Sequence, residues 1–422
     1  MSLTAGASDG RASRYVAAIG MGAAQAATAF PLRLLPLLAP LLLLRTGTPV
    51  SAIGFLSSIA MLGAMAGSLA TGHLCARFGA RGTLQLAMVL GTAAALFHGI
   101  SNLIAFAFAS FMAGLADGVT PAAGNSLLQR ARGTREQQAL FAIKMVGGPV
   151  GGLAVGLLLP RVASTVSPWP APLFAATVTL CVGLALVASR SHWPSEPGQA
   201  VNAKGSAAAT GTGLVLLARV VHLRRIAALG SLLAFAHGVW YAYFVVFLVT
   251  EGGVTLVAAG TLMSVALGAG ILTRVTLGAT AHRLSRPDRL LGALCLGSAL
   301  PWFALYHFDA NDGAWHGSVI AAAFGMTLGG WLGIQQAEIS RAAPIEHVDR
   351  VSGAAAFLMF LALTLSGVCF ALVTQALGHI RPGFLLLGSA AALAGVLALG
   401  WPSGQVASSA SGKESSKAAD VQ

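Results

Sequence analysis

Long apolar runs separated by short polar breaks dominate this chain. A helix needs about 20 apolar residues to cross roughly 30 Å of hydrocarbon, and twelve stretches approach or exceed that length. They fall at 15–44, 50–73, 83–100, 103–128, 138–159 and 168–188, then at 226–249, 254–277, 290–306, 316–340, 352–377 and 381–400. The runs 83–100 and 290–306 are short and lack sharp caps. The expected fold class is an all-α polytopic membrane protein of twelve transmembrane helices.

The polar stretches organise these runs. Between the sixth and seventh lies a segment from Ser189 to about Val221, rich in Gly, Ala, Ser and Pro up to Thr212, which reads as a flexible linker. Leu214 to Arg225 then alternates apolar and basic residues, the pattern of an interfacial helix. Four regions follow: a six-helix bundle over 1–188, a cytoplasmic linker with its interfacial helix over 189–225, a second bundle over 226–402, and a Ser-rich disordered tail over 403–422. The halves carry a common spacing. Gly54, Gly72 and Arg77 recur 206 residues later as Gly260, Gly278 and Arg283, each at a predicted span boundary. A parallel repeat of two six-span halves is one of the architectures of secondary transporters.

Composition adds the solvent. The chain is 56% hydrophobic and only 9% charged, with 52 glycines. A soluble domain carries about 25% charged residues, so the expected surroundings are lipid, where glycines let helices approach closely. The net charge of +12 invites a nucleic-acid reading, but its placement argues otherwise. With the N-terminus inside, 19 of the 25 Lys and Arg residues fall on the cytoplasmic side, and only Arg45, Arg161 and Arg381 fall outside. This is the positive-inside pattern, and it predicts both termini in the cytoplasm. No nucleic-acid partner is implied. Arg outnumbers Lys 21 to 4 in a chain dominated by Ala, Gly and Leu, a bias that points to a bacterial inner membrane. The four cysteines, Cys75, Cys181, Cys295 and Cys369, lie within spans or at a cytoplasmic end and suggest no disulfide.

The loop after the second span reads Gly72-His73-Leu74-Cys75-Ala76-Arg77-Phe78-Gly79-Ala80-Arg81. It resembles the signature G-x-L-a-D-r-x-G-r-r of the major facilitator superfamily at Gly72, Leu74, Arg77, Gly79 and Arg81, with Ala76 where the family has its gate-latching Asp. The second-half copy keeps Gly278 and Arg283 and has His282 at the acidic position. Span 5 carries Lys144 ahead of Gly147-Gly148-Pro149, similar to the family's Gly-Pro motif there, and span 10 ends in Glu338 and Arg341. The resemblance implies a monomeric secondary carrier of two six-helix bundles whose spans 1, 4, 7 and 10 line a central cavity.

Ionisable groups in hydrocarbon cost several kcal/mol and mark function by default. Span 1 offers Gln25 and Arg33, and span 4 offers Asp117 and Asn125 on one face with Gly114 and Pro121. An Arg33–Asp117 ion pair is expected, either locking the first bundle or serving substrate and proton coupling. Span 7 places His237, Trp240 and Tyr241 together near mid-membrane, and span 10 aligns Trp331, Gln335 and Glu338. His237 could carry a proton or simply hydrogen-bond a neighbouring helix. Arg274 in span 8 precedes Gly278 by four residues, a spacing similar to that of substrate-contacting arginines in nitrate/nitrite and oxalate/formate carriers of the superfamily. Arg33, Lys144 and Arg274 outnumber the one deep acid, which favours an anion.

The substrate-contact candidates are therefore Gln25, Arg33, Asp117, Asn125, His237, Trp240, Tyr241, Arg274, Trp331 and Gln335. The coupling and gating candidates are Asp117, Lys144, His237, Gly72, Arg77, Gly79, Arg81 and Arg283. No metal-ligand cluster, cofactor motif or nucleotide-binding Lys loop occurs. The expected partners are a small-molecule substrate, the lipid bilayer and protons as coupling ion. Export of hydrophobic compounds is the alternative transport reading. A receptor or embedded enzyme would need a sensor domain or a catalytic cluster that the sequence does not contain.

Overall fold

The computed structural model describes residues 3–128, 134–163, 167–189, 193, 206–280, 287–344 and 347–401. Among these there is no strand. The first half contains α1 (Leu3–Thr46), α2 (Ser51–Phe97), α3 (Leu103–Leu128), α4 (Thr134–Val162) and α5 (Pro170–Ala188). A short helix α6 (Ser206–Arg219) leads into α7 (Val221–Thr250), α8 (Leu256–Thr280), α9 (Pro287–His307), α10 (Ala314–Leu328), α11 (Trp331–Ala342), α12 (Val348–Leu377) and α13 (Arg381–Leu399).

Two departures from the sequence reading restore the expected twelve passes. The 47 residues of α2 are continuous by helix assignment, yet a straight helix of that length would extend about 70 Å at 1.5 Å per residue. Gly79 breaks it with φ 72° and ψ 167°, torsions that only glycine adopts readily. The backbone turns there. Gly67 packs against Leu115 of α3 and Gly91 packs beside Ala116, so positions equally spaced before and after Gly79 meet α3 at one depth. The two arms of α2 are thus the second and third passes. Conversely, the tenth run is split: Gly329 and Gly330 separate α10 from α11. Hydropathy does not register a backbone break of this kind.

A third difference concerns the interfacial helix, expected over Leu214–Arg225. The helix begins at Ser206, within the stretch read as flexible, and ends at Arg219. Extended Val220 (φ −87°, ψ 109°) makes the elbow, and Arg224 and Arg225 belong to α7. Gly213 lets α6 press onto the Arg350 carbonyl of α12. Linker residues 194–205 and the tail lie outside the described residues, as does Arg283.

The spacing of 206 residues has a structural counterpart. A Cβ at Gly54 would collide with the Gly367 carbonyl of α12, and one at Gly260 of α8 with the Gly156 carbonyl of α4. The repeat-related glycines thus occupy matching junctions between the halves, α2 against α12 and α8 against α4. Hydrogen bonds flank both. Ser58 donates to the Thr364 carbonyl at 2.6 Å, Gln375 to the Ser51 hydroxyl at 3.1 Å, and Ser264 to the Leu153 carbonyl at 2.9 Å. These ties gather towards the end of the bundle that carries Ser51 and Gln375.

Candidate functional site

Beneath those junctions the helices leave a cavity of about 230 Å³. Its apolar walls come from Met61 of α2, Trp331 of α11 and Met359, Phe360 and Leu363 of α12. Its ionisable groups are Arg33 of α1, Asp117 of α3, His237 and Tyr241 of α7, and Arg274 of α8, joined by the hydroxyls of Ser57, Ser110 and Ser366. Six of the ten substrate-contact candidates therefore line one space: Arg33, Asp117, His237, Tyr241, Arg274 and Trp331.

Arg33 is held from the other half of the molecule. One Nη donates to the Tyr241 hydroxyl at 3.1 Å, and the guanidinium lies 5.0 Å from the Tyr241 ring centroid. Its Nε is buried without a partner. The expected Arg33–Asp117 ion pair does not form. Asp117 instead accepts a hydrogen bond from Thr28 at 3.1 Å, and no cation among the described residues reaches it within 4.0 Å. Thr28 lies five positions before Arg33 on α1, a separation that turns the two residues to different sides of the helix. The carboxylate follows Thr28 while the guanidinium follows Tyr241.

Arg274 serves the broken pass. Its Nε donates to the Gly329 carbonyl at 2.5 Å, and His237 lines the adjoining pocket beside Leu328. Carbonyls at the C-terminal end of a helix lack intrahelical partners, and Arg274 supplies one. His237 also stacks on Tyr241, with centroids 4.6 Å apart and planes at 29°. Charge and aromatic surface are thereby joined at one wall of the cavity.

The other candidates sit elsewhere. Trp240 lines a smaller adjoining pocket with Arg274 and Gly329, and its indole N–H is buried without a partner. Gln335 packs against Gly230 of α7. Gln25 is buried on α1, with its carbonyl accepting from Thr28. Asn125 lies on α3, and its side chain is outside the description. Lys144 is wholly buried and donates to the Pro121 carbonyl at 2.5 Å, joining α4 to α3. Of the loop residues, Gly79 makes the turn, Arg77 lies over the Phe78 ring at 5.3 Å, and Gly72 and Arg81 flank that turn within α2. Glu338 pairs with Arg341 at 3.2 Å and approaches His222 at 3.6 Å.

Three contributors escaped the sequence reading: Thr28, the Tyr241 hydroxyl as a partner for Arg33, and Ser57, a cavity residue with a buried unpartnered hydroxyl. Thr and Ser recur throughout the spans as backbone-bonding residues, so nothing in the sequence singled these out.

Helices crossing a membrane in two repeat-related halves, with charged groups gathered in a cavity, define the class of polytopic membrane carriers. The sequence matches the family model of the Major Facilitator Superfamily over residues 17–367, and the chain belongs to that superfamily. It is a membrane transporter. Its fold is similar to a nucleoside transporter, NupG in its D323A mutant form, at TM-score 0.75 and 12% identity, covering 92% of this chain and 99% of that one. It is similar to a D-xylose-proton symporter at TM-score 0.68 and 15% identity, covering 92% and 96%. A POT family transporter in complex with 5-aminolevulinic acid aligns at TM-score 0.72 and 12% identity, covering 91% and 95%. No curated protein matches the sequence.

Proposed function

We propose that this chain is a secondary carrier of a small organic anion, working by alternating access and driven by a proton gradient or by exchange. One observation carries the reading: Arg33 and Arg274, from opposite halves, face the same cavity as Tyr241, and neither is ion-paired with a carboxylate among the described residues. Two guanidiniums in a low-dielectric cavity repel each other, and an anion seated between them relieves that repulsion. Asp117, tied only to a hydroxyl, is the group available to exchange a proton. The similar folds include a D-xylose-proton symporter, which supports this mode of energy coupling.

The charge asymmetry supports cytoplasmic termini in a bacterial inner membrane, with the Ser51–Gln375 end outside. The described conformation is then closed to the exterior. Residues 1–188 and 226–402 serve as the two bundles that rock about the cavity, with 189–225 joining them. A second reading, export of hydrophobic compounds, is favoured by the apolar wall of Met61, Trp331, Met359 and Phe360.

Uptake into proteoliposomes separates the two. The test uses radiolabelled short-chain carboxylates and a fluorescent lipophilic cation, with and without an imposed pH gradient or internal unlabelled solute. Carboxylate uptake that responds to the gradient or to internal solute supports the anion carrier. Movement of the lipophilic cation alone rejects it in favour of export.

A further inference from the structure

Asp117 and Arg33 face one cavity with opposite charges, yet they form no ion pair. Left free in a low-dielectric space, such groups collapse into a pair, because each charge is costly to bury alone. Here both are restrained. Arg33 is tethered across the bundle to Tyr241, with the ring of that residue beneath its guanidinium. Asp117 is tethered to Thr28, whose hydroxyl also lies 3.2 Å from the Gln25 carbonyl. A hydroxyl has one proton to donate, so it cannot fully satisfy both acceptors. The Nε of Arg33 remains without any partner. The cavity therefore presents an under-satisfied anion on α3 and an under-satisfied cation on α1, held apart.

We propose that the transported solute is zwitterionic, carrying a carboxylate that seats at Arg33 and Arg274 and a protonated amine that seats at Asp117. This rests on the anion reading above and narrows it. A molecule with both charges completes both halves of the site at once, whereas a simple carboxylate leaves Asp117 facing a hydroxyl. The apolar surface of Met359, Phe360 and Leu363 lines the same cavity and accommodates the body between the two charged ends. Asp117 discriminates by the usual means of a buried polar site: the analogue lacking the amine leaves the carboxylate unpaired.

The test is ligand binding to the purified full-length protein in detergent, by thermal shift and calorimetry. The probes are matched sets: 4-aminobutanoate with butanoate and butylamine, 6-aminohexanoate with hexanoate and hexylamine, and leucine with 4-methylpentanoate. For at least one set the amino acid should bind about tenfold more tightly than its deaminated partner, the value of one charged hydrogen bond. Asp117→Asn should erase that preference while retaining the carboxylate, and Arg33→Gln should weaken both. Circular dichroism and the unliganded melting temperature establish that each variant is folded. If every carboxylate binds as tightly as its amino acid, and Asp117→Asn alters neither, the zwitterion proposal falls while the anion reading stands. If amines bind and no carboxylate does, both fall.

Discussion

The glycine junctions between the halves predict how the conformational equilibrium responds to a single methyl group. At Gly54 an added Cβ meets the Gly367 carbonyl, the Tyr243 hydroxyl and the Ala371 methyl. The carbonyl is backbone and cannot rotate aside, so the helices must part. Overpacking a close contact costs about 1–3 kcal/mol. That cost falls only on the conformation in which α2 and α12 touch, so Gly54→Ala should shift the balance towards the externally open state by about 5- to 150-fold. The assay is labelling of Ser57→Cys, which lines the cavity behind the junction and ties no helix across it, with a membrane-impermeant thiol reagent. The background replaces Cys75, Cys181, Cys295 and Cys369, two of which are exposed on the protein surface. Labelling should accelerate in Gly54→Ala and, at the other junction, in Gly260→Ala. Gly211→Ala is the control, since a Cβ there meets nothing within 4 Å. Unchanged labelling in both junction variants, with all proteins folded, would refute the view that these contacts close the exterior.

Further outcomes follow from other contacts. Gly79→Ala forces a side chain into a positive-φ conformation at φ 72° and ψ 167°, which should cost about 1–3 kcal/mol and lower the melting temperature, whereas Gly72→Ala nearby, whose Cβ meets nothing within 4 Å, should leave it unchanged. Gly118→Val would drive a branched side chain into the Ala64 backbone, and its expression as a monodisperse protein should be largely lost. Tyr241→Phe removes the hydroxyl that positions Arg33. It should weaken binding of a carboxylate about tenfold or less, with little change in melting temperature. Glu338→Gln breaks a pair in which Arg341 is more than half exposed; at about 1 kcal/mol or less, it should leave transport intact.

The elements most legible in the sequence were those written in hydropathy and glycine spacing. The pairs Gly54/Gly260 and Gly72/Gly278 marked the repeat, and the first pair proves to lie where the halves touch. The gathering of Arg33, Asp117, His237, Tyr241 and Trp331 was also legible, because charge and aromatic surface at mid-membrane depth are costly without a purpose. Partner choice was not. Whether Asp117 meets Arg33 or Thr28 depends on a rotation of α1 by part of a turn, and hydropathy averages over that rotation. The Gly329–Gly330 break was hidden for a related reason: two glycines in an apolar run cost the hydropathy signal nothing, though they free the carbonyl that Arg274 takes up. Gln335 and Trp240 shared the right spans but faced neighbouring helices.

The central claim is that the guanidiniums of Arg33 and Arg274 hold the carboxylate of the transported solute. Counterflow in proteoliposomes, using whichever radiolabelled carboxylate or amino acid the binding series selects, tests it most directly. The account predicts that Arg33→Gln and Arg274→Gln each abolish accumulation, while Arg77→Gln, which sits over Phe78 outside the cavity, retains binding of the solute. Accumulation at the parent rate by both cavity variants would contradict it.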